Sequence, residues 1–286
     1  MSTSANCKPS ISSRVSIAWP PASAYEDSSV LVLSSPPSTS PPSTLLYVDV
    51  RLSLPLSRSS KILWAFAGLR HTLQTESGKK HRWDHVVDSR RAAGLAGADT
   101  LDEGVTVRRM EVDADGGEVE VEVEVGEGWN PDTATVQRYE EIWSDEPVLS
   151  TSPYVFLTLG TSPTESTGFI ALVGSHTLGM SAESDGHPFQ VVRLFEPPDS
   201  TSGASEPTRY NDGWEVVFST PEPEENDVDT PVNLTSEMLA LVELLAASKS
   251  ESQSLGWNKG DTVSLCSDLA TIGQARKWTV FDWGNI

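Results

Sequence analysis

The segment G-E-V-E-V-E-V-E-V-G, Gly117–Gly126, places valine and glutamate in strict alternation. Successive side chains of a β-strand point to opposite faces, so the valines share one face and the glutamates the other. Carboxylates stacked inside a barrel would lose their hydration. We therefore predict that the valines face the interior and that the acidic strand faces water and could contact a basic partner; its residues are Glu118, Glu120, Glu122 and Glu124.

The same period of two recurs along the chain. Arg14–Trp19 and Leu45–Leu54 alternate, and Val30–Leu33 and Ile62–Ala67 are short apolar runs that suit buried strands. Further strand-like segments follow Tyr154, separated by turns rich in Gly, Pro, Asp and Ser. Short strands at close spacing predict an all-β chain built from antiparallel sandwiches or barrels.

The second half contains one segment with helical periodicity. Leu234–Ala247 carries apolar residues on one face and has Asn233 or Thr235 as a possible cap, which predicts one short helix. A break rich in prolines and hydroxyl residues lies at Ser144–Pro153. We therefore predict two β-domains of similar size, residues 1–147 and residues 152–286.

Composition excludes several classes of function. The net charge is −21, and fifteen Asp and Glu but only three Arg lie between Asp102 and Glu146. Nucleic acids and anionic membranes bind basic surfaces, so neither is an expected partner. The sequence predicts neither a signal peptide nor a membrane span, and two isolated cysteines, Cys7 and Cys266, suggest a reducing compartment.

The candidate motifs for catalysis or metal binding each lack a required residue. His81 and His85 are four residues apart, but Arg82 stands where a zinc protease motif needs Glu, and no third ligand is near. Gly174-Ser-His176 lacks the glycine pattern of a nucleophile elbow. Phosphate-binding and dinucleotide-binding glycine loops are absent from the sequence. We predict no catalytic residue, no metal site and no cofactor.

Aromatic residues at inward positions leave two alternatives open. Trp19, Trp64, Phe66 and Trp143 fall where strand alternation could point them into a barrel. They could fill the interior, or they could line a cavity for a small ligand. The sequence does not decide between these.

Several patches together resemble the fungal HRI family, whose proteins are named for interaction with a casein kinase I. The resemblance runs in order along most of the chain. It is carried by Trp64–Gly68, Trp83–Arg90 and Arg138–Trp143 in the first half, and by Tyr154–Leu159, Gly168–Gly174, Gly256-Trp257 with Gly260-Asp261, and Trp278–Phe281 in the second.

This resemblance implies two lipocalin-like β-barrels in tandem, location in cytoplasm and nucleus, and binding to casein kinase I. It also implies association with a component of the protein-translocation apparatus, and it brings no catalytic residues. We expect a non-enzymatic interaction module. The alternative is a carrier of a small apolar ligand, and a hydrolase or metal enzyme would require polar groups that converge in a pocket. Candidate phosphorylation sites in the polar inserts are Thr220, Thr230, Ser250 and Ser252.

Overall fold

The computed structural model describes residues 8–76, 78–112, 117–182, 188–197, 213–221, 233–250, 255–265 and 276–285. Within these residues the chain is built mainly of β-strands, which confirms the all-β prediction. The first half contains β1 (Ser10–Ala18), β2 (Ser28–Ser34), β3 (Ser43–Ser53), β4 (Ile62–Thr75), β5 (Gly78–Asp88), β6 (Asp102–Val112), β7 (Glu118–Asn130) and β8 (Thr135–Glu146).

These eight strands form a closed antiparallel barrel. Each strand pairs with its neighbour in sequence, and β8 returns to pair with β1 from Ile11 opposite Glu146 to Ala18 opposite Glu140. Closure gives every strand two hydrogen-bonded neighbours, so the barrel has no free edge. The barrel predicted for the first half is confirmed.

A short helix connects β5 to the loop before β6. Helix α1 (Ser89–Ala92) begins after Asp88, whose Oδ1 accepts hydrogen bonds from the amides of Arg90 (2.7 Å) and Arg91 (3.1 Å). A side chain that caps a helix in this way satisfies amides that have no partner within the helix. This cap fixes the backbone of Arg90 at one end of the barrel.

The second half forms an antiparallel sheet in the order β13-β12-β11-β10-β9-β15-β14. Its strands are β9 (Pro153–Thr158), β10 (Gly168–Val173), β11 (His176–Ser181), β12 (Gln190–Phe195), β13 (Glu215–Ser219), β14 (Thr262–Ser264) and β15 (Lys277–Asn285), with a 3-10 turn at Pro163–Glu165. The sequence predicts a second barrel here. In the described part of the chain, the outermost strands β13 and β14 do not pair with each other.

One face of this sheet is covered by helix α2 (Leu234–Ser250), which confirms the helix predicted in this half and extends it to seventeen residues. The Asn233 side chain accepts a hydrogen bond from the Ser236 amide (2.7 Å) and caps the helix. A Cβ at Gly179 of β11 would overlap the sulfur of Met238, so the missing side chain admits the helix to close contact. The apolar face predicted for the helix is buried, through Leu234, Met238, Leu241, Val242 and Leu245.

The other face of the sheet packs on the outside of the barrel. Outward-facing side chains of β2 to β4, such as Leu46 and Val48, form one core with Phe156, Phe169 and Met180 of the sheet. The barrel ends at Glu146 and the second sheet begins at Pro153. The division into domains at residues 1–147 and 152–286 stays a prediction. The two halves share a core and therefore stabilise each other.

We expect Phe169→Ala to lower the free energy of unfolding of the whole chain by about 3–5 kcal/mol, because it leaves a cavity in the shared core. Urea unfolding followed by tryptophan fluorescence measures this change. Val136→Ala, at a position that is exposed, is the control and should have little effect. Two separate transitions, of which only one shifts in Phe169→Ala, would contradict a shared core.

Candidate functional site

The barrel encloses a cavity of about 990 Å³. Trp19, Trp64, Phe66 and Trp143 all line it, as the inward positions predicted. The lining also contains many charged side chains: Arg14, Asp49, Arg51, Arg70, Arg90, Asp102, Glu124 and Glu141. The aromatic residues therefore line a cavity, and its chemistry is ionic as well as apolar.

The orientation predicted for the acidic strand is wrong at Glu124. Its carboxylate lies in the cavity, where the Tyr139 hydroxyl donates a hydrogen bond to Oε1 (2.9 Å). Val121 and Val125 stand opposite Arg109 and Glu140, which form an ion pair (2.7 Å) on the outer face. The valine face therefore turns outward, and the glutamate face turns toward the cavity.

The other three glutamates of the acidic strand are exposed for a different reason. Glu118 is exposed, and the side chains of Glu120 and Glu122 are 57% and 52% exposed. Residues 107–112 and 118–122 pair only with each other in the described ladders, so this end of β6–β7 projects as a two-stranded hairpin extension. Inward-facing positions on the hairpin extension lie beyond the strands paired on both sides, at the rim of the cavity, where Glu120 and Glu122 also line it and water reaches them.

A buried ion network joins three strands across the cavity. Glu141 Oε1 on β8 accepts from Arg14 Nη1 on β1 (2.6 Å) and from Arg51 Nη1 on β3 (3.5 Å). Arg14 also donates to Glu26 (2.7 Å), and Arg51 donates to Asp49 (2.9 Å). Each arginine has two carboxylate partners, which offsets the cost of removing its charge from bulk water.

Aromatic rings pack against the same network. The Arg51 guanidinium lies 4.9 Å from the Trp64 ring centre and 5.2 Å from that of Phe66. Burial acts to lower the pKa of Arg51, but the charges of Asp49 and Glu141 outweigh it and the pKa is raised. Arg51 is therefore a permanent cation, held by two carboxylates and flanked by two rings.

His85 is held between two carboxylates. Its Nδ1 lies 2.9 Å from Asp88 and its Nε2 lies 2.9 Å from Asp102, while the ring stacks on Phe66 with centroids 4.3 Å apart. Burial acts to lower the pKa of His85, but the hydrogen bonds to Asp102 and Asp88 outweigh it, so the pKa is raised. His85 therefore takes up a proton more readily than a free imidazole, and its ring lies against Phe66, which lines the cavity.

His81 lies on the same face of β5, as the spacing predicts, but its ring contacts hydroxyl groups and not carboxylates. Its Nδ1 and Nε2 lie 2.9 Å and 3.0 Å from the hydroxyls of Thr72 and Thr106. Burial and the positive charges of Arg70 and Lys79 lower its pKa to about 3. Both ring nitrogens of both histidines are thus occupied, and the described residues contain no cluster of three or more His, Cys, Asp or Glu that could hold a metal ion.

The remaining candidates from the sequence lie outside the cavity. Gly174 and Ser175 form the turn between β10 and β11, and His176 Nε2 contacts Glu146 (3.0 Å) across the two halves. The Thr220 hydroxyl accepts a hydrogen bond from the Val191 amide (3.3 Å). Five other positions named above lie outside the described residues or have no described side chain: Cys7, Thr230, Ser250, Ser252 and Cys266.

Two hydrogen-bond donors that line the cavity have no acceptor among the described residues. They are the Nε–H of Arg70 on β4 and the Nε1–H of Trp143 on β8. Sequence reasoning identified Trp143 as inward but missed Arg70. The signal was present, because Arg70 continues the alternation of Trp64, Phe66 and Gly68 along the same strand.

One end of the cavity is bordered by exposed apolar residues. Leu63, Leu95 and Leu101 line this end and are at least 40% exposed. Arg90 lies beside them with its guanidinium 4.1 Å from the Trp64 ring centre. Burial and the nearby charge of Arg51 lower the pKa of Arg90 to about 10. A ligand entering here would meet an apolar rim before the charged interior.

We expect Glu124→Gln to stabilise the protein at pH 8 but not at pH 4.5. Burial and the charges of Glu141 and Asp102 raise the pKa of Glu124 to about 8. The pKa of this carboxyl is higher in the folded state than in the unfolded state, where it is about 4.3. The protein therefore loses stability as the pH rises from the unfolded-state pKa through the folded-state pKa. Glutamine removes that loss and can still accept the Tyr139 hydrogen bond.

Thermal unfolding midpoints of Glu124→Gln and the original chain, measured from pH 4.5 to pH 8.5, test this. The exposed Glu122→Gln is the control and should give a nearly constant difference. A constant difference for Glu124→Gln as well would mean that Glu124 is ionised throughout this range.

Comparison with known proteins gave one match. A family model described as Protein HRI1 matches residues 10–257. No curated protein and no solved structure matches the chain. Among the described residues, no helix is both long enough and apolar enough to cross a membrane. The matched range includes the whole barrel and most of the second half.

Proposed function

This chain belongs to the Protein HRI1 family, and we propose that it is a non-enzymatic binding protein with two contact regions. The barrel cavity binds a small ligand, and the exposed glutamates of the hairpin extension bind a casein kinase I. The observation that carries the proposal is the barrel cavity, about 990 Å³ in volume, open at one end and lined by fixed charges and aromatic rings.

The cavity supports ligand binding through its size and its rigidity. Small-molecule sites have volumes of about 300–1,000 Å³ and combine apolar walls with a few fixed polar groups. Here the polar groups are held in place by ion pairs, as Arg14 and Arg51 are by Glu141. Such a wall does not have to rearrange when a ligand enters, which lowers the cost of binding. Its charges favour a polar or ionic ligand over the small apolar ligand of the alternative given under the sequence analysis.

Binding to a casein kinase I is supported by the resemblance of the chain to kinase-interacting proteins and by the hairpin extension. Glu118, Glu120 and Glu122 project there into solvent. Arg108 lies 3.5 Å from Glu120 and 3.3 Å from Glu122. Its single positive charge does not balance the three glutamates of the extension. A net negative ridge suits a basic patch on a partner and would speed its association. Glu124 is enclosed by the barrel and takes no part in this contact.

The cellular setting follows from the same resemblance. We place the chain in the cytoplasm and the nucleus, and we include a component of the protein-translocation apparatus among its partners. These two proposals rest on the family resemblance alone.

We expect protein purified from its natural source to retain a bound small molecule. Native mass spectrometry should show a mass above that of the polypeptide, and spraying the same sample from denaturing solvent should release the difference, because the ligand is held by the folded barrel. A bare polypeptide mass under native conditions would argue against the carrier function.

For the kinase contact, we expect the triple variant Glu118→Gln, Glu120→Gln, Glu122→Gln to bind casein kinase I about 10-fold more weakly. Three exposed charge contacts of about 0.5 kcal/mol each account for this loss. Titration of the purified kinase against the immobilised chain measures it. Raising the salt concentration should weaken the original chain more than the variant.

A control variant changes the same number of charges elsewhere. Glu76→Gln, Asp99→Asn and Glu165→Gln alter exposed carboxylates away from the hairpin extension. If this control weakens kinase binding as much as the triple variant, the effect comes from net charge and the hairpin extension is not the contact.

A further inference from the structure

We propose that the ligand of the barrel is a small organic anion with an apolar body, and that Arg70 and Trp143 bind its anionic group. This inference rests on the ligand-binding function proposed above and specifies the chemistry of that ligand. The anionic group would accept hydrogen bonds from Arg70 Nε–H and Trp143 Nε1–H. Both residues line the cavity, and both donors lack a hydrogen-bond partner in the described part of the chain.

Arg70 differs from the other arginines deep in the cavity. Arg14 and Arg51 each contact two carboxylates, whereas the described residues give Arg70 no ion pair and leave its Nε without an acceptor. Burial lowers the pKa of Arg70, yet a guanidinium remains protonated at neutral pH. A cation enclosed by a barrel wall without a counterion is costly, and an anionic ligand would remove that cost.

The acids that act on Arg70 do not form an ion pair with it among the described residues. Glu124 and Asp145 are the acids whose charge acts on Arg70. Burial raises the pKa of Glu124 to about 8, and its Oε1 accepts a hydrogen bond from the Tyr139 hydroxyl (2.9 Å), not from Arg70. Asp145 is exposed and accepts a hydrogen bond from the Ser12 hydroxyl (2.6 Å) at one end of the barrel. Neither forms a hydrogen bond with Arg70 within the described residues.

Trp143 lines the same cavity as Arg70. It lies two residues before Asp145 on β8, so the two side chains share the inner face of the strand. A buried indole N–H normally has an acceptor, and this one has none among the described side chains and backbone.

The surroundings of Arg70 specify the rest of the ligand. Arg70 stands opposite Leu45 on β3 and opposite Trp83 on β5. Leu45, Tyr47 and Phe66 form a cluster inside the barrel, and Trp83 packs against it. A ligand that brings its charge to Arg70 therefore lays its body on aliphatic and aromatic side chains. Inorganic phosphate would leave that surface unused, and a neutral hydrocarbon would leave the guanidinium without a partner.

The test uses two fluorescent probes with the same rings. 8-Anilinonaphthalene-1-sulfonate carries an anionic group, and N-phenyl-1-naphthylamine lacks it. We expect the full chain to bind both, and we expect Arg70→Met to weaken binding of the sulfonate at least 10-fold while binding of the neutral probe changes less than twofold. Because the substitution removes an unpaired buried charge, the unfolding midpoint should stay the same or rise, which separates lost binding from lost folding.

Two controls complete the test. Arg82→Gln removes an equal charge from an exposed position on β5 and should leave both probes unaffected. Decanoate should displace the sulfonate probe at concentrations at which decanol and inorganic phosphate do not. Displacement by decanol at the same concentration would overturn the requirement for an anion.

The outcomes separate this inference from the function on which it rests. If the original chain binds neither probe, both the ligand-binding function and the anion inference fail. If it binds both probes but Arg70→Met binds the sulfonate equally well, the cavity binds ligands and the anion inference alone fails. If folded Arg70→Met loses both probes to the same extent, Arg70 shapes the cavity and does not bind an anion.

Discussion

The ion network centred on Glu141 makes a polar barrel interior possible. Glu141 accepts hydrogen bonds from Arg14 and Arg51, and thereby links β8, β1 and β3 through the inside of the barrel. Each of these charges alone would be costly to enclose, but together they satisfy one another. The link includes β1 and β8, the strand pair that closes the barrel. The charged interior and the closure of the barrel therefore depend on the same residues.

The outside of the barrel explains how the chain can sustain such an interior. Leu46, Val48, Val50 and Leu52 alternate with Tyr47, Asp49 and Arg51 along β3, and it is the leucines and valines that face outward. The second sheet covers them, so the apolar burial that stabilises the barrel occurs on its outer wall. The interior is then free to hold polar groups and open volume. In this arrangement the second half of the chain supplies part of the core of the first.

This arrangement also divides the acidic residues into two sets with different roles. Neighbours such as Glu140 and Glu141 point to opposite faces: Glu140 pairs with Arg109 and Arg138 outside, and Glu141 pairs with arginines inside. Along the acidic strand, Glu124 is enclosed while Glu120 and Glu122 extend past the barrel wall. The negative charge of the chain is thus divided between the barrel interior and an exposed ridge.

The sequence by itself determined the local features. Alternation over segments such as Leu45–Leu54 indicates strands, and the apolar face of Leu234–Ala247 indicates a helix, because side-chain period depends only on the backbone geometry of each element. Alternation also identified the inward aromatics at Trp64 and Phe66. Only the tertiary structure decided which face of Glu118–Val125 turns inward. A strand with one apolar and one charged face can bury either, and the outcome depends on arginines far away in sequence and on a second sheet that covers the outer wall.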